Sequence, residues 1–299
     1  MKYFSAATED RRLDAAARRS LRGSYIQLSD GIAHYELTGP EGGDIVVLTG
    51  GLMIPLFYWD AMAAALHAQG LRTLAYSGYG RGYSDRVQGP YDEALFVRQL
   101  GELITQLHLP KPHHLVGTSM GALVTMAYLR HHHASAATLT LVGPAGLGRQ
   151  PAIQRLALSK DWSAGPIAKY FGRRILHQHL GHNVRDPARA SELAAIVLDA
   201  FRYEGSMYAF FDTLQHFPLF DRGPLYAHTG TLGVPVNLLW GRDDDVTPIR
   251  NLDTVVNLLE PARCDVIEDC GHMAPFEAPT LVADSVASFL ASHEGRHKP

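Results

Sequence analysis

The feature that most constrains this chain is the alternation of short apolar runs with longer helical patterns between residues 44 and 143. DIVVLTGG is a continuous apolar run, typical of a strand buried on both faces, and LRTLAYS, HHLVG and ATLTLVG also favour strands. Between them, FYWDAMAAALHAQG, ALFVRQLGELITQLHL and MGALVTMAYLRHH have helical patterns. Strands and helices that alternate with short connections predict an α/β fold with a doubly wound, mostly parallel sheet.

The same pattern extends on both sides of this region. SYIQL and IAHYEL flank SDG and predict a hairpin, while VPVNLLWG, CDVIEDC and the helical LVADSVASFLASH resume the alternation near the C-terminus. Residues 144–230 contain helical and aromatic segments without a strand pattern. We therefore predict a core made of residues 1–143 and 231–299, with residues 144–230 inserted as a helical cap over the strand ends.

Residues 8–22 are rich in alanine, arginine and acids, which predicts a short surface helix. Arginines on such a helix could contact an anionic surface, although a solvated helix face is the simpler interpretation. The arginines concerned are Arg11, Arg12, Arg18, Arg19 and Arg22.

Composition limits the partners and the compartment. The formal net charge of −3 argues against a nucleic-acid partner. Cys264 and Cys270 lack a disulfide framework around them, so we expect free thiols in a reducing compartment. The sequence has no membrane-length apolar run and no signal-peptide core, so we expect a cytoplasmic protein without stable membrane insertion. The oligomeric state stays open, with a homodimer among the options.

Residues 117–121 read GTSMG and join the HHLVG strand to the next helix. A serine on so sharp a turn adopts a strained backbone, and Gly117 and Gly121 remove side chains that would collide there. The hydroxyl of Ser119 would then point to the carboxyl ends of the strands, where ligands bind in open α/β sheets. The start of the following helix offers the amide of Met120 to a developing oxyanion. This setting predicts that Ser119 is a nucleophile.

A serine nucleophile needs a base, and the base needs an acid that orients it. The C-terminal third supplies both after strands, because LLWGRDDDVTP places an acidic cluster after VNLLW and EDCGHMAPFEAP places His272 after CDVIE. This order of serine, aspartate and histidine resembles the α/β-hydrolase superfamily, and the resemblance runs from about Tyr25 to Leu290.

The resemblance implies which residues take the remaining roles. The acid of the family stands in a W-G-x-x-D-x-x-x-P frame, which selects Asp244 rather than Asp243 or Asp245. The family histidine follows a glycine and has an acid and a proline nearby. His272 fits this pattern through Gly271, Glu277 and Pro279.

The second oxyanion donor is expected on the loop after VVLTGG. In the family this strand commonly ends in His-Gly, and the next residue donates its amide. Here Gly50 stands in place of that histidine and Gly51 matches the glycine, so the resemblance implies Leu52 as the donor. The departure matters because the family histidine helps to hold the loop.

Two other groups of residues receive a structural interpretation. SGYGRGYSDR resembles the family loop G-R-G-x-S-D rather than a dinucleotide-binding motif, since no helix opens there. We expect its residues to shape the floor of the site: Gly80, Arg81, Gly82, Ser84 and Asp85. His177, His179 and His182 are candidate metal ligands by type, but no carboxylate–histidine motif accompanies them, so we expect neither a metal nor an organic cofactor.

The resemblance implies acyl transfer through Ser119, His272 and Asp244, with the amides of Leu52 and Met120 stabilising the oxyanion. Aromatic residues are dense between 201 and 220, and with apolar residues elsewhere they favour an apolar pocket. The residues concerned are Phe201, Tyr203, Tyr208, Phe210, Phe211, Phe217 and Phe220, with Leu52, Met53, Phe57 and Met120. We therefore expect a small hydrophobic ester-like substrate, cleaved by an esterase, a lipase-like enzyme or a lactonase.

Other functions on the same scaffold stay open. A hydrolase that cleaves a carbon–carbon bond in a diketone uses the same triad, and a ligand receptor or a non-hydrolytic biosynthetic protein can retain it. An amidase or aminopeptidase is less favoured, because no acidic lid motif for a substrate amine is apparent. Dehalogenases and epoxide hydrolases of this fold place an aspartate at the nucleophile position, so Ser119 argues against them.

Overall fold

The computed structural model describes residues 1–150, 152–158, 160–181 and 184–293. Within these residues one sheet contains eight strands. They are β1 Ser24–Gln27, β2 Ile32–Thr38, β3 Ile45–Thr49, β4 Arg72–Ser77, β5 His113–Thr118, β6 Ala136–Val142, β7 Val236–Gly241 and β8 Arg263–Ile267.

The strand order across the sheet is β1-β2-β4-β3-β5-β6-β7-β8. Strand β2 runs antiparallel to both of its neighbours, β1 and β4. All neighbouring pairs from β4 across the sheet to β8 are parallel. The predicted hairpin is the antiparallel pair of β1 and β2. The predicted doubly wound, mostly parallel α/β sheet is confirmed.

Helices cover both faces of this sheet. They are α1 Ala15–Ser20, α2 Asp60–Ala68, α3 Glu93–Gln106, α4 Met120–His132, α5 Ala152–Leu158, α6 Asp161–Gly181, α7 Pro187–Ala200, α8 Ser206–His216, α9 Gly223–Gly230, α10 Leu252–Leu259, α11 Ala274–Glu277 and α12 Pro279–Ala291. Short 3₁₀ turns occupy Leu56–Trp59, His133–Ser135 and Ile249–Asn251. None of the helices in the described residues combines the length and apolarity needed to cross a membrane.

The core lies on both sides of the sheet because successive side chains of a strand point to opposite faces. Val46 and Leu48 of β3 pack in the layer that contains α2 and α12. Ile45 and Val47 pack in the layer that contains α3, α4, α9 and α10. All five residues of β3 are buried, as its continuous apolar run predicts.

The prediction of a helix over residues 8–22 is wrong in its extent. Helix α1 covers only six residues and is capped by Asp14, whose carboxylate accepts a hydrogen bond from Ala17 N at 2.7 Å. Arg11 instead forms an isolated β-bridge with Tyr203. Four of the five arginines form ion pairs with carboxylates of the folded chain, and these carboxylates offset the positive charge that could attract an anionic surface. The pairs are Arg11–Asp199, Arg12–Glu204, Arg18–Asp85 and Arg22 with Glu36 and Asp60.

The segment between β6 and β7 is a helical insertion. Its described residues form α5 to α9 without a strand. Helix α6 packs against α8, and α9 packs against α4 and α10 of the core. The division into a core and a cap at residues 144–230 stays a prediction.

Candidate active site

Ser119 lies on the turn between β5 and α4, at the carboxyl edge of the sheet. Its backbone has φ 53° and ψ −119°, a conformation that is unfavourable for a residue with a side chain. Ser119 N donates a hydrogen bond to Val142 O at 3.2 Å, and the Ser119 carbonyl accepts bonds from Ala122 N and Ala145 N at 3.1 and 3.2 Å. These bonds hold the strained turn, and Ser119 borders a cavity.

Two glycines let the chain pass closely around this turn. A Cβ added at Gly117 would lie 2.7 Å from the carbonyl oxygen of Gly121. A Cβ added at Gly121 would lie 2.2 Å from Thr49 O, at the end of β3. The glycines are therefore needed for the close approach of α4 to neighbouring backbone as well as for the turn itself.

His272 and Asp244 meet at the ends of β7 and β8. His272 Nδ1 lies 2.8 Å from Asp244 Oδ2, and both side chains are buried. Asp244 Oδ1 accepts hydrogen bonds from Val246 N at 2.9 Å and Thr247 N at 2.7 Å. The carboxylate is thus fixed in orientation, and it favours the imidazole tautomer with the proton on Nδ1, which leaves Nε2 as the basic nitrogen.

The neighbouring aspartates have different surroundings. Asp243 pairs with Arg185 at 3.1 Å, and its side chain is 44% exposed. Asp245 is exposed at the border of the cavity. Of the three aspartates, Asp244 is the one whose carboxylate meets His272, in the position that the sequence frame selected.

Two residues that no sequence motif indicated support this pair. Thr247 Oγ1 donates to Asp244 Oδ2 at 2.7 Å and lies 3.3 Å from His272 Nδ1. Gly143, directly after β6, has φ +48°, and a Cβ there would lie 3.0 Å from Asp244 Oδ2 and 3.5 Å from His272 Nδ1. The glycine at the end of ATLTLVG was a visible signal, but its meaning depends on β6 lying beside β7.

The loop after β3 passes directly beside the serine. A Cβ at Gly51 would lie 3.3 Å from Ser119 Cβ, and Leu52 and Met120 both border the cavity. A Cβ at Gly50 would lie 3.2 Å from two side-chain carbons of the buried Ile54. Ile54 therefore fills the space beside position 50, which suits a glycine there.

Arg81 holds the loop on which Leu52 lies. Its Nε donates to the Leu52 carbonyl at 2.7 Å, and Nη1 donates to Tyr79 O at 2.9 Å. Nη2 donates to Thr213 Oγ1 on α8 at 2.9 Å. The interpretation of Arg81 as a floor residue is incomplete, because this side chain connects the predicted oxyanion loop both to the core and to the helical insertion.

Arg81 is buried, and its guanidinium lies near the rings of Tyr91 and Phe96, at 5.8 and 5.2 Å from their centroids. Burial lowers the pKa of Arg81 to about 10. The group therefore stays cationic at neutral pH, and each of its three nitrogens donates to one of the carbonyl and hydroxyl oxygens described above.

The cavity beside Ser119 has a volume of about 480 Å³. Its lining combines the ends of β3, β5, β6 and β7 with residues of the helical insertion. Apolar side chains and glycines predominate near the serine, including Leu52, Met53, Ile54, Met120, Leu147, Leu214, Leu219 and Phe220. His272 borders the same cavity.

The expected aromatic lining needs correction. Of the seven aromatic residues between 201 and 220, Phe220 borders the cavity, while the other six are less than 9% exposed and pack elsewhere. Phe57 packs against His34 and Tyr83 rather than in the cavity. The aromatic density arises because α8 is buried over most of its length between the core and α6.

Both cysteines are free thiols. Burial raises the pKa of the Cys270 thiol to about 12, so it stays protonated beside His272. His177 and His179 lie exposed on α6, and His182 lies outside the described residues. Across the described part of the chain, no cluster of three histidine, cysteine or acidic side chains could hold a metal ion.

Comparison with known proteins gives a consistent fold. An esterase from Thermogutta terrifontis aligns over 91% of this chain and all of its own, with a TM-score of 0.77 and 20% identity. An enol-lactonase from Burkholderia xenovorans LB400 aligns over 90% of this chain and all of its own, with a TM-score of 0.75 and 20% identity.

Sequence comparison identifies relatives as well. The chain is 28% identical over 206 residues to a monoacylglycerol lipase of Mus musculus, in a match that covers 66% of this chain. The chain spans 60% of the length of that relative. The model of the Alpha/beta hydrolase family matches residues 45–285. With more than half of its length matched and the sheet order described above, the chain belongs to the alpha/beta hydrolase family.

Proposed function

We propose that this protein is a serine hydrolase that cleaves carboxylic esters through an acyl-enzyme. The observation that carries the proposal is the buried contact of His272 with Asp244 at the cavity that Ser119 borders on a strained turn. A serine, a base and an acid that orients the base are the parts that nucleophilic acyl transfer requires.

The proposed reaction uses each of these groups in turn. His272 Nε2 accepts the proton of Ser119 as its Oγ attacks the ester carbonyl, and Asp244 stabilises the imidazolium that forms. The amides of Leu52 and Met120 stabilise the tetrahedral oxyanion, at about 3 kcal/mol for each donor. His272 returns the proton to the leaving alcohol, and it then activates the water that releases the acid.

The cavity supports a small substrate with an apolar part. Its volume of about 480 Å³ and the leucine, isoleucine and methionine side chains in its lining suit an apolar acyl or aryl group. Similarity to a monoacylglycerol lipase and to an esterase and an enol-lactonase supports an ester or lactone substrate. A cytoplasmic location stays a prediction from the unpaired cysteines.

Hydrolysis of a p-nitrophenyl ester series, from acetate to palmitate, tests this function. We expect turnover by the wild type and a loss of about 10⁴-fold or more in Ser119→Ala, because the nucleophile is removed. Ser20→Ala, on the exposed helix α1, is the matched control and should keep full activity. The acyl chain length at which turnover is highest shows how long an acyl group the cavity accommodates.

A folded wild type that hydrolyses no ester would reject the proposal. Turnover of a diketone with release of an acid would then favour carbon–carbon cleavage by the same residues. Tight retention of a ligand without turnover would favour a receptor or a biosynthetic protein on this scaffold.

A further inference from the structure

The outward surface of α5 and α6 carries exposed apolar side chains. Leu156 is 76% exposed, Trp162 80%, Tyr170 75% and Phe171 59%. Four of the six large hydrophobic side chains that stand out as exposed in the described chain thus fall within 16 residues. Single exposed apolar residues are ordinary, whereas a group on one surface marks a site of interaction.

The exposed aromatic side chains of α6 are not part of the face that packs on the core. Its buried residues Ala164, Ala168, Leu176 and Leu180 are four or eight positions apart, and they form one face of the helix. A Cβ at Gly172, on the same face, would lie 2.8 Å from Met207 Sδ of α8. The inner face of α6 is therefore closely packed, and the exposed Trp162, Tyr170 and Phe171 lie outside that packed face.

The same segment is strongly basic. Residues 149–181 contain six basic residues and one acidic residue, a formal net charge of +5 in a chain whose net charge is −3. The basic residues are Arg149, Arg155, Lys160, Lys169, Arg173 and Arg174, and all six are exposed. The ion pairs found among the described residues involve none of them.

We propose that the exposed surface of α5 and α6 docks on an anionic phospholipid bilayer. Tryptophan and tyrosine favour the boundary between head groups and acyl chains, and basic side chains are attracted to anionic head groups. The contact is peripheral, with side chains at the level of the head groups rather than a helix across the membrane.

Charge argues against a second copy of this chain as the occupant. A twofold interface would place the same surface of each protomer against the other, so that two segments of charge +5 would face each other. The same basic segment, residues 149–181, also borders the cavity, through Arg149 before α5 and His179 of α6. The proposed docking needs only this surface and does not depend on Ser119 being a nucleophile.

Tryptophan fluorescence tests the docking directly. Trp59 and Trp240 are completely buried, so a change on vesicle addition reports Trp162. With vesicles of phosphatidylcholine containing about 30% phosphatidylglycerol, we expect the emission maximum of Trp162 to shift to shorter wavelength. We also expect acrylamide to quench this emission less strongly. Vesicles of phosphatidylcholine alone should have little effect, and about 0.5 M salt should reverse most of the response.

Charge reversal supplies the second measurement. Lys169→Glu combined with Arg173→Glu should weaken binding to the anionic vesicles, measured by co-sedimentation, by about 25-fold or more. Each basic side chain lost removes about fivefold, and each new glutamate adds repulsion. Arg19→Glu, an exposed arginine on α1, is the matched control and should bind as the wild type does. Turnover of a soluble ester should be unchanged in both variants.

Three results would overturn the proposal. The first is a Trp162 emission that anionic vesicles leave unchanged. The second is an equal response to neutral and anionic vesicles, which would remove the role of charge. The third is a dimer in light scattering that Trp162→Ser dissociates, because the surface would then be covered by a second copy.

Discussion

The carboxyl edge of the sheet and the helical insertion both border the cavity, but different forces hold them in place. At the edge, Ser119, Asp244 and His272 lie on turns directly after strands whose register is fixed by backbone pairing. In the insertion, side-chain packing and a few hydrogen bonds fix the helices, such as the bond from Arg81 to Thr213. The edge thus positions the groups proposed for the chemistry, and the insertion shapes the space around the substrate.

The largest difference is expected between two adjacent aspartates at the edge. Asp244→Asn should lower turnover by about 10⁴-fold, because an amide favours the wrong tautomer of His272. Asp243→Asn should change turnover by only a few fold, since its carboxylate faces Arg185. Ester kinetics with thermal unfolding as a control measure both, and a severe loss in Asp243→Asn with a mild one in Asp244→Asn would reverse the assignment.

The next comparison lies within the insertion. Phe210→Ala should lower the free energy of unfolding by about 3–5 kcal/mol, because this buried ring leaves a cavity. Phe220→Ala should change stability far less and shift the preferred acyl length, because its ring borders the cavity. Denaturant unfolding and the ester series together separate the two effects. Equal changes in both variants would show that the aromatic residues do not divide into core and cavity groups.

A glycine at the edge should be more sensitive than one elsewhere. Gly143→Ala should lower turnover by about 100-fold. The added Cβ would lie 3.0 Å from Asp244 Oδ2, so the carboxylate would have to move away from its position beside His272. Gly233→Ala has a similar backbone, with φ +71° and nothing within 4 Å of the added carbon, and should lose some stability but no turnover. If both variants lose turnover equally, backbone strain rather than contact with the acid is the cause.

The smallest effect is expected at two arginines that join edge and insertion, the buried Arg81 and the half-buried Arg86. Arg81→Lys should lower turnover about tenfold with little change in KM, because the Leu52 loop loses part of its support. Burial also lowers the pKa of Arg86 to about 10, but its donors contact Ser84, Ala200 and Ser206. Arg86→Lys should therefore reduce stability and leave turnover nearly unchanged. A fall in turnover confined to Arg86→Lys would contradict the role assigned to Arg81.

Residues at the edge could be predicted from the sequence because their signals are local. The apolar run of β5 and the flanking glycines place Ser119, and the resemblance to the family frame around Trp240 selects Asp244 within the acidic cluster. Gly143 and Thr247 could not be found in this way, since their importance arises from the pairing of β6 with β7 and from the position of His272 across it.

The insertion was less predictable for the same physical reason. Its aromatic residues are equally suited to a core and to a cavity wall, and only the packing of α8 between α6 and the core decides between them. The arginines of residues 8–22 likewise have partners far along the chain, such as Asp199 for Arg11. Composition indicates apolar or charged character, and tertiary contacts determine where it is used.

Labelling with a fluorophosphonate, followed by intact-mass and peptide mass spectrometry, tests the central claim most directly. A nucleophilic serine forms a stable phosphonyl adduct, so we predict one adduct per chain on the peptide that contains Ser119, and strongly slowed labelling in His272→Gln. A folded wild type that takes up no label, or a Ser119→Ala variant that is labelled as fast as the wild type, would contradict the account.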